Sequence, residues 1–318
     1  LHLLPGITGE HARQRMHFFS CYDSSPVSLT EKILARPRLI KRIMNAIPDG
    51  HLAHLACFNV TEHERTLSAT LGCPVYGCGP GLRFWGTKAG SREIFRECGM
   101  EMPPGYENLQ NEEQIIKALA DLYIADPLLK KAVVKMNDGF SGEGNAVFPY
   151  DTITSKENVE EEIRQLLPRV LEIVATDLSY ELFIDKFTSM GGIVEAFIDA
   201  PHKTSPSVQC RINPLGKIDI ISTHDQLMGG PDGQVFLGGT FPADEEYSVE
   251  VAALGRKVSE VMKRKGVLGR FGVDFLSVKE NDQWKHYAIE INLRKGGTTH
   301  PYIMLQFLTN GDYNPDTG

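Results

Sequence analysis

The run Gly272-Val273-Asp274-Phe275, followed downstream by Ala288-Ile289-Glu290-Ile291-Asn292-Leu293-Arg294, decides how this chain folds. Val273 to Glu280 and Trp284 to Ile291 read as two strands, with Asn281-Asp282-Gln283 as a three-residue turn between them. If Glu280 pairs with Trp284, the ladder sets Leu276 beside Ala288 and Asp274 opposite Glu290. Asn292 shares their face, because side chains alternate with period two. Carboxylates directly across a strand pair stand about 5 Å apart at Cβ and repel, so a cation between them is the economical explanation. Asp, Glu and Asn oxygens suit Mg2+, which commonly binds one or two carboxylates plus substrate phosphates.

With 318 residues, the chain is long enough for two or three lobes with a cleft between them. No apolar run approaches the roughly 20 residues that span a bilayer. Its start at Leu1 and its end at Asp316-Thr317-Gly318 read as a fragment of a longer protein, so the lack of a signal peptide carries little weight. The six cysteines (Cys21, Cys57, Cys73, Cys78, Cys98 and Cys210) form no CxxC pair and have no paired His ligands. Reduced thiols in a cytoplasmic protein are therefore expected, rather than disulfides or zinc. A net charge of −8, from 33 basic and 41 acidic residues, argues against nucleic acid or an anionic membrane as the main partner. A phosphate ligand would need local lysines, backbone N–H groups and a metal.

Outward from the hairpin, the first 80 or so residues alternate short apolar runs with helical segments, the pattern of a small α/β layer. Met16 to Cys21, Leu52 to Phe58 and Pro74 to Gly77 read as strands, and Thr61 with Glu64 forms a capping box for a helix from Glu62 to Leu71. The breaker cluster Gly77 to Gly81 is the first boundary. A helix follows Lys88 from Gly90 to Cys98, and Asn111 caps another that ends near Ala125. Ala132 to Met136 is a strand leading into the loop Asn137 to Asn145, and Lys156 to Val174 is a charged amphipathic helix. Tyr180 to Phe187, Gly192 to Ile198, Ser207 to Ile212 and Ile218 to Thr223 read as antiparallel strands, and Ser248 to Lys265 as a helix.

Two further motifs can carry chemistry. The glycine-containing loop from Gly139 to Gly144 follows a strand that ends in Lys135, a layout that can fold backbone N–H groups over phosphates, although a plain surface turn reads the same way. It lacks the Gly-Lys-Ser/Thr ending of a Walker A loop. Lys135 closes the apolar run Ala132-Val133-Val134, and its charge has to find something polar. Glu195-Ala196-Phe197-Ile198 is either an edge strand or a hinge whose backbone binds an adenine edge between apolar side chains.

The order of these features resembles the ATP-grasp superfamily. There an early lysine, a lysine before a glycine loop, a Glu-x-x-Ile/Leu hinge, and a late Asp with Glu-x-Asn come in sequence, matched here by Lys88, Lys135, Glu195 to Ile198, and Asp274 with Glu290 and Asn292. The match covers about residues 85 to 305. Lys88 to Arg92, Asn137 to Asn145, Ser222 to Gln226 and Glu290 to Pro301 look more closely like the pheganomycin-type peptide ligase family, and are similar to segments of longer eukaryotic proteins with IQ motifs. The resemblance implies a mixed α/β and α+β architecture. A small Rossmann-like pre-ATP-grasp domain (1–84) would precede a two-lobed ATP-grasp fold, with lobes 85–198 and 199–318 and a further C-terminal domain absent beyond Gly318.

It also implies ATP and Mg2+ as cofactors. Lys88, Lys135 and the loop Ser141, Gly142, Glu143 and Gly144 would hold phosphates; Glu195, Ala196, Phe197 and Ile198 the adenine; and Asp274, Glu290 and Asn292 the metal. Arg294 would hold the γ-phosphate or an acylphosphate, and Arg211 either does the same or pairs with a surface acid. Many members carry an acidic ribose-binding residue seven positions after the hinge glutamate. That position is His202 here, which leaves Asp199, another group or a shifted hinge. His224, Asp225 and Gln226 are a polar cluster near the substrate or an ordinary turn, and His300 either shapes the substrate pocket or starts a helix.

The function implied is an ATP-dependent ligase joining a small-molecule or peptide carboxylate to an amine through an acylphosphate. Competing readings are a nucleotide-binding regulatory module of a larger protein and a small-molecule kinase. A requirement for an amine separates ligase from kinase, and binding without turnover marks the module.

Overall fold

The computed structural model describes residues 6–139, 144–154, 157–229 and 235–318. The N-terminal region contributes four helices, α1 (Gly9–Arg15), α2 (Leu29–Leu34), α3 (Pro37–Asn45) and α4 (Glu62–Leu71). Thr61 and Glu64 form the expected capping box at α4, and Ile40, Leu67, Leu71 and Cys73 make a small core between the helices. The expected strands here shrink to one parallel bridge, Leu55 to Val75. Met16 to Cys21, expected as a strand, has no regular structure, and its apolar residues form no buried face, since Phe18 is 85 % exposed.

The central region builds an antiparallel sheet of five strands: β1 (Gly105–Leu109), β2 (Lys131–Met136), β3 (Asn145–Pro149), β4 (Glu172–Ile173) and β5 (Gly192–Ala196), in the order β1-β5-β2-β3-β4. It follows α5 (Lys88–Glu97), and α6 (Glu112–Ala125), α7 (Val159–Val170) and α8 (Tyr180–Met190) connect its strands. Ile116, Leu119, Ile163, Phe183 and Phe187 from the three connecting helices share a core with Val134, Phe148 and Val194 from the sheet. Tyr180 to Phe187 is therefore a helix rather than a strand. Ser179 caps it, and the buried Phe183 and Phe187 sit four apart, the spacing of one helix face. The amphipathic helix expected to run to Val174 ends at Val170 as α7, before the short strand β4; its expected start, Lys156, lies outside the described residues, and Pro168, which has no amide proton, falls in the last turn.

A second sheet follows: β6 (Lys203–Thr204), β7 (Pro206–Ile212), β8 (Ile218–Gly229), β9 (Val235–Thr240), β10 (Gly269–Glu280) and β11 (Gln283–Asn292). Its order is β11-β10-β7-β8-β9, with β6 also pairing β10. The alternation of β7 and β10 divides its faces. Val208, Cys210, Ile212, Phe271, Val273 and Phe275 join Val251, Val258 and Met262 of α9 (Ser248–Arg264) in one core. Ser207, Gln209, Arg211, Arg270, Gly272 and Asp274 take the other face, toward the five-stranded sheet. The last helix, α10 (Thr299–Thr309), starts beside this face.

α5 ties the two sheets together. Its Ile94 and Phe95 are fully buried in the α9 core, Ser91 Oγ accepts a hydrogen bond from the Ile291 amide of β11 (2.9 Å), and Arg92 reaches Glu195 on β5. Gly90 makes the packing possible, since a Cβ there would lie 1.9 Å from the Phe84 carbonyl oxygen in the 3-10 turn Pro80–Gly86.

Candidate active site

The hairpin brings Asp274 opposite Glu290, but not through the ladder read from sequence. The turn is two residues long: Asn281 and Asp282 both have positive φ (50° and 60°), the conformation of a tight primed turn, and Glu280 pairs with Gln283. Leu276 then faces Tyr287 rather than Ala288. An unbroken ladder would have placed Ile289 opposite Asp274. A β-bulge between the pairs Phe275–Ala288 and Asp274–Glu290 absorbs the extra residue, so Ile289 and Glu290 both line the cleft. Asn292, opposite Gly272, reaches back, and its Nδ2 donates to Asp274 Oδ2 (2.8 Å) and Glu290 Oε1 (2.9 Å).

Burial pushes the Asp274 carboxyl above the usual carboxylate range, while hydrogen bonds to Ser207 and Gln226 and the charges of Lys88 and Arg294 pull it back. The Lys88 ammonium touches the Glu290 carboxylate. Lys88 lies in the first turn of α5, held by the Thr87 cap and by Asn137, whose carbonyl and side-chain oxygens accept from the amides of Lys88 and Ala89. Its pKa falls to about 8, first because burial disfavours the charge and then because Lys135 is near. Burial also lowers the pKa of Arg294, whose guanidinium stacks 5.6 Å from the centre of the Phe58 ring.

Lys135 and Glu195, neighbours across β2 and β5, form a buried pair with Nζ 2.6 Å from Oε1. Arg92 holds the other carboxylate oxygen at 3.1 Å and also binds Glu107. Glu195 thus anchors cations at the cleft wall. Removing its carboxylate would leave two buried charges short of a partner, a loss of about 3–5 kcal/mol. Beyond it the strand turns along the cleft. The amides of Ala196 and Phe197 are taken by the carbonyls of Pro104 and Lys131, so the next backbone donor is that of Ile198. Ala196, Phe197 and Ile198 all line the cleft.

Of the remaining candidates, Ser141, Gly142 and Glu143 lie outside the described residues; Gly144 lines the cleft, its carbonyl accepting from the Met136 amide at 2.9 Å. Arg211 is engaged with an acid, the second of its two readings: Nε and Nη2 bind Asp219 at 3.1 and 2.7 Å. Its neighbour on β10, Arg270, lines the cleft instead. The cluster at 224–226 splits by strand alternation. His224 and Gln226 face the cleft, and Asp225 points away to the Tyr247 hydroxyl (2.7 Å) and the Asp244 amide (2.8 Å). Thr298 and Thr299 line the cleft while His300 is exposed on α10, and His202 and Asp199 are exposed outside it. Sequence reasoning gave no role to Arg92, Ser207 or Arg270. For the last two the signal was present, since both share the alternation phase of Asp274 once β7 and β10 are paired.

These groups enclose a cleft of about 710 Å³ with contributions from both sheets, α5 and Phe58. A second chamber of about 430 Å³ adjoins it and shares Lys88, Glu290, Asn292 and Arg294. Among the described residues no three His, Cys, Asp or Glu side chains cluster as a metal cage. The two carboxylates, now met by the donated Asn292 N–H group and the Lys88 ammonium, fit a cation that completes its shell from a phosphate and water, and the Asn292 amide, turned over, would offer its oxygen to the same ion.

Residues 82–170 and 150–316 match the family model described as IQCH-like, ATP-grasp. The chain is 27 % identical over 292 residues to L-propargylglycine--L-glutamate ligase of Streptantibioticus cattleyicolor, covering 91 % of this chain and 57 % of that protein. It is 23 % identical over 308 residues to IQ motif-containing protein H of Danio rerio, covering 87 % of this chain and 29 % of that protein. It therefore spans little more than half of the first relative and under a third of the second. Its fold is similar to the biotin carboxylase domain of Hydrogenobacter thermophilus 2-oxoglutarate carboxylase, crystallised with MgADP, ADP and bicarbonate. The TM-score is 0.58 at 15 % identity, over 91 % of this chain and 60 % of that chain. Among the described residues no helix is long and apolar enough to cross a membrane. With the family model spanning most of its length, the chain belongs to the IQCH-like ATP-grasp family.

Proposed function

We propose that this chain is the nucleotide-binding and catalytic portion of an ATP-dependent carboxylate–amine ligase, forming an amide or peptide bond and releasing ADP and phosphate. The observation that carries the reading is the convergence of Asp274, Glu290 and Asn292 with Lys88 in one cleft, beside the Ala196 to Ile198 strand end and the buried Lys135. The relative named for joining propargylglycine to glutamate supports the same reaction class.

A carboxylate becomes an acylating agent when one of its oxygens attacks the γ-phosphorus of ATP and ADP leaves. The amine then attacks the acyl carbon, phosphate departs with that oxygen, and the nitrogen gives up a proton. In this reading Asp274, Glu290 and Asn292 would hold Mg2+, which would supply neutralisation of the phosphate charge. Lys88 and Lys135 bind the phosphates from the α5 and β2 sides, and Glu195 and Arg92 keep Lys135 in place. Arg294 presents a planar donor pair to the transferring phosphoryl oxygens. The backbone at Ile198 holds the adenine edge. Such catalysis is positioning and electrostatics rather than covalent work by the protein.

Product analysis with ATP, Mg2+ and a pool of amino acids and short peptides tests the proposal beside Glu290→Ala. The expected result is ADP and phosphate that appear only with the pool and fall about a hundredfold or more in the variant. Tight ATP binding without turnover under any pool would contradict it and leave a regulatory module.

A further inference from the structure

At the end of the cleft away from the Ile198 strand end, the sheet presents a cationic donor, Arg270, that the mechanism above does not use. β10 pairs with Lys203 and Thr204 near its Ser277 end, close to the proposed adenine edge, and carries Asp274 next. Arg270 follows four residues further on, roughly 13 Å along the strand on the far side of the metal carboxylates. Arg270 lines the cleft, yet its Nη1 is buried with no hydrogen-bond partner. His224, 2 % exposed and also lining the cleft, has an unpartnered Nδ1 as well, but through Ser207 it stands level with Asp274 rather than at the Arg270 end. An unpartnered buried N–H is costly and rare, so the Arg270 Nη1 beside this cavity points to an acceptor that completes it; Thr204 Oγ1, also unpartnered and lining the cleft, lies at the adenine end.

Charge names the ligand's sign. Asp219 is the acid near Arg270, and it is already bound by Arg211 at 2.7 Å and Lys217 at 2.9 Å. Three cations thus share one carboxylate. Burial and the neighbouring Arg211 lower the pKa of Arg270, the strain an added anion would relieve. Burial likewise holds His224 at about 4, so its ring is neutral at physiological pH and offers a hydrogen bond without a charge.

Building on the ligase reading, we propose that the Arg270 end of the cleft binds a free carboxylate of the amine-donating substrate. The acceptor is then an amino acid or peptide whose own carboxyl group is not the one activated. That carboxylate docks on Arg270 beyond the metal site, with its amine turned back toward the acyl carbon.

Melting temperatures of the 318-residue chain, wild type and Arg270→Met, test this in the presence of Mg2+ and ADP. The additions are the twenty L-amino acids as free acids, the same set as carboxamides, and inorganic phosphate. The expected result is a rise with free acids but not carboxamides in the wild type. Arg270→Met should need roughly tenfold more of the acids for the same rise, the worth of a charge-assisted hydrogen bond, while keeping the shift from ADP. Equal responses to acids and amides, an unchanged response in the variant, or no response to any acid would overturn the subsite. So would a phosphate-only response, or a variant that loses the ADP shift, because either assigns Arg270 to phosphate. If Arg270→Met does not fold, Arg270→Lys carries the comparison, since it keeps the charge and loses the two-pronged geometry. A wild type that binds free acids through Arg270 but never releases ADP with them retains the subsite and loses the ligase reading.

Discussion

Burial and the approach of Lys135 hold Lys88 at about 8, against an ordinary lysine value of 10.5. The sign of its effect follows. Between those two values the folded chain holds fewer protons than the unfolded one, so stability rises as pH climbs through that window, and below about 8 the buried charge costs on the order of 3 kcal/mol. Phosphate oxygens beside Lys88 would favour the protonated form. Binding of Mg2+ and ATP near pH 8.5 should therefore take up part of a proton, and binding near pH 6.5 almost none. Titration calorimetry in buffers of different ionisation enthalpy measures this directly. Lys88→Met should abolish the uptake, and equal uptake in the variant would show that another group titrates. At this scale the meeting of Asp274, Glu290, Asn292 and Lys88 was legible in the sequence because each sits in a short motif. Arg270 was not, because its significance lies in a cleft-facing position and an unpaired nitrogen that only the paired sheet displays.

Elements decide whether those residues meet. The hairpin was legible from alternation and a polar turn, but its two-residue turn and its bulge were not, since each shifts the register by one and the two cancel at Asp274 and Glu290. Tyr180 to Phe187 reads as a strand in sequence, yet the four-residue spacing of Phe183 and Phe187 specifies the helix α8. α5 is the element on which the site depends most, since it carries Lys88, Ser91 and Arg92 to partners on both sheets. Gly90→Ala should force α5 away from the Phe84 carbonyl, because backbone cannot rotate aside as a side chain does. A loss of about 3 kcal/mol in denaturant melts is expected, with weaker ATP binding. A variant with unchanged stability and affinity would mean that α5 is not held by this contact.

At the scale of the molecule, two antiparallel sheets face each other across the cleft, and the acids and cations of the site are divided between them. Lys135 and Glu195 lie on the five-stranded sheet, Asp274, Glu290 and Asn292 on the six-stranded one. α5 lies between, and a ligand that engaged both sheets would gather charges that are now only partly compensated. The mixed architecture with a late hairpin carrying Asp274 and Glu290 followed from the family resemblance that the order of motifs carries. The weak strand content of the first 80 residues did not, because short apolar runs look alike whether they pair or simply pack.

Transfer of oxygen from substrate to phosphate tests the ligase reading most directly. With amino acids and peptides labelled with 18O in their carboxyl groups, the chain should release inorganic phosphate carrying one 18O for each amide bond formed, because the activated oxygen leaves with the phosphoryl group. Phosphate released without label, or label that stays wholly in the acid while ATP is consumed, would contradict an acylphosphate route and the ligase with it.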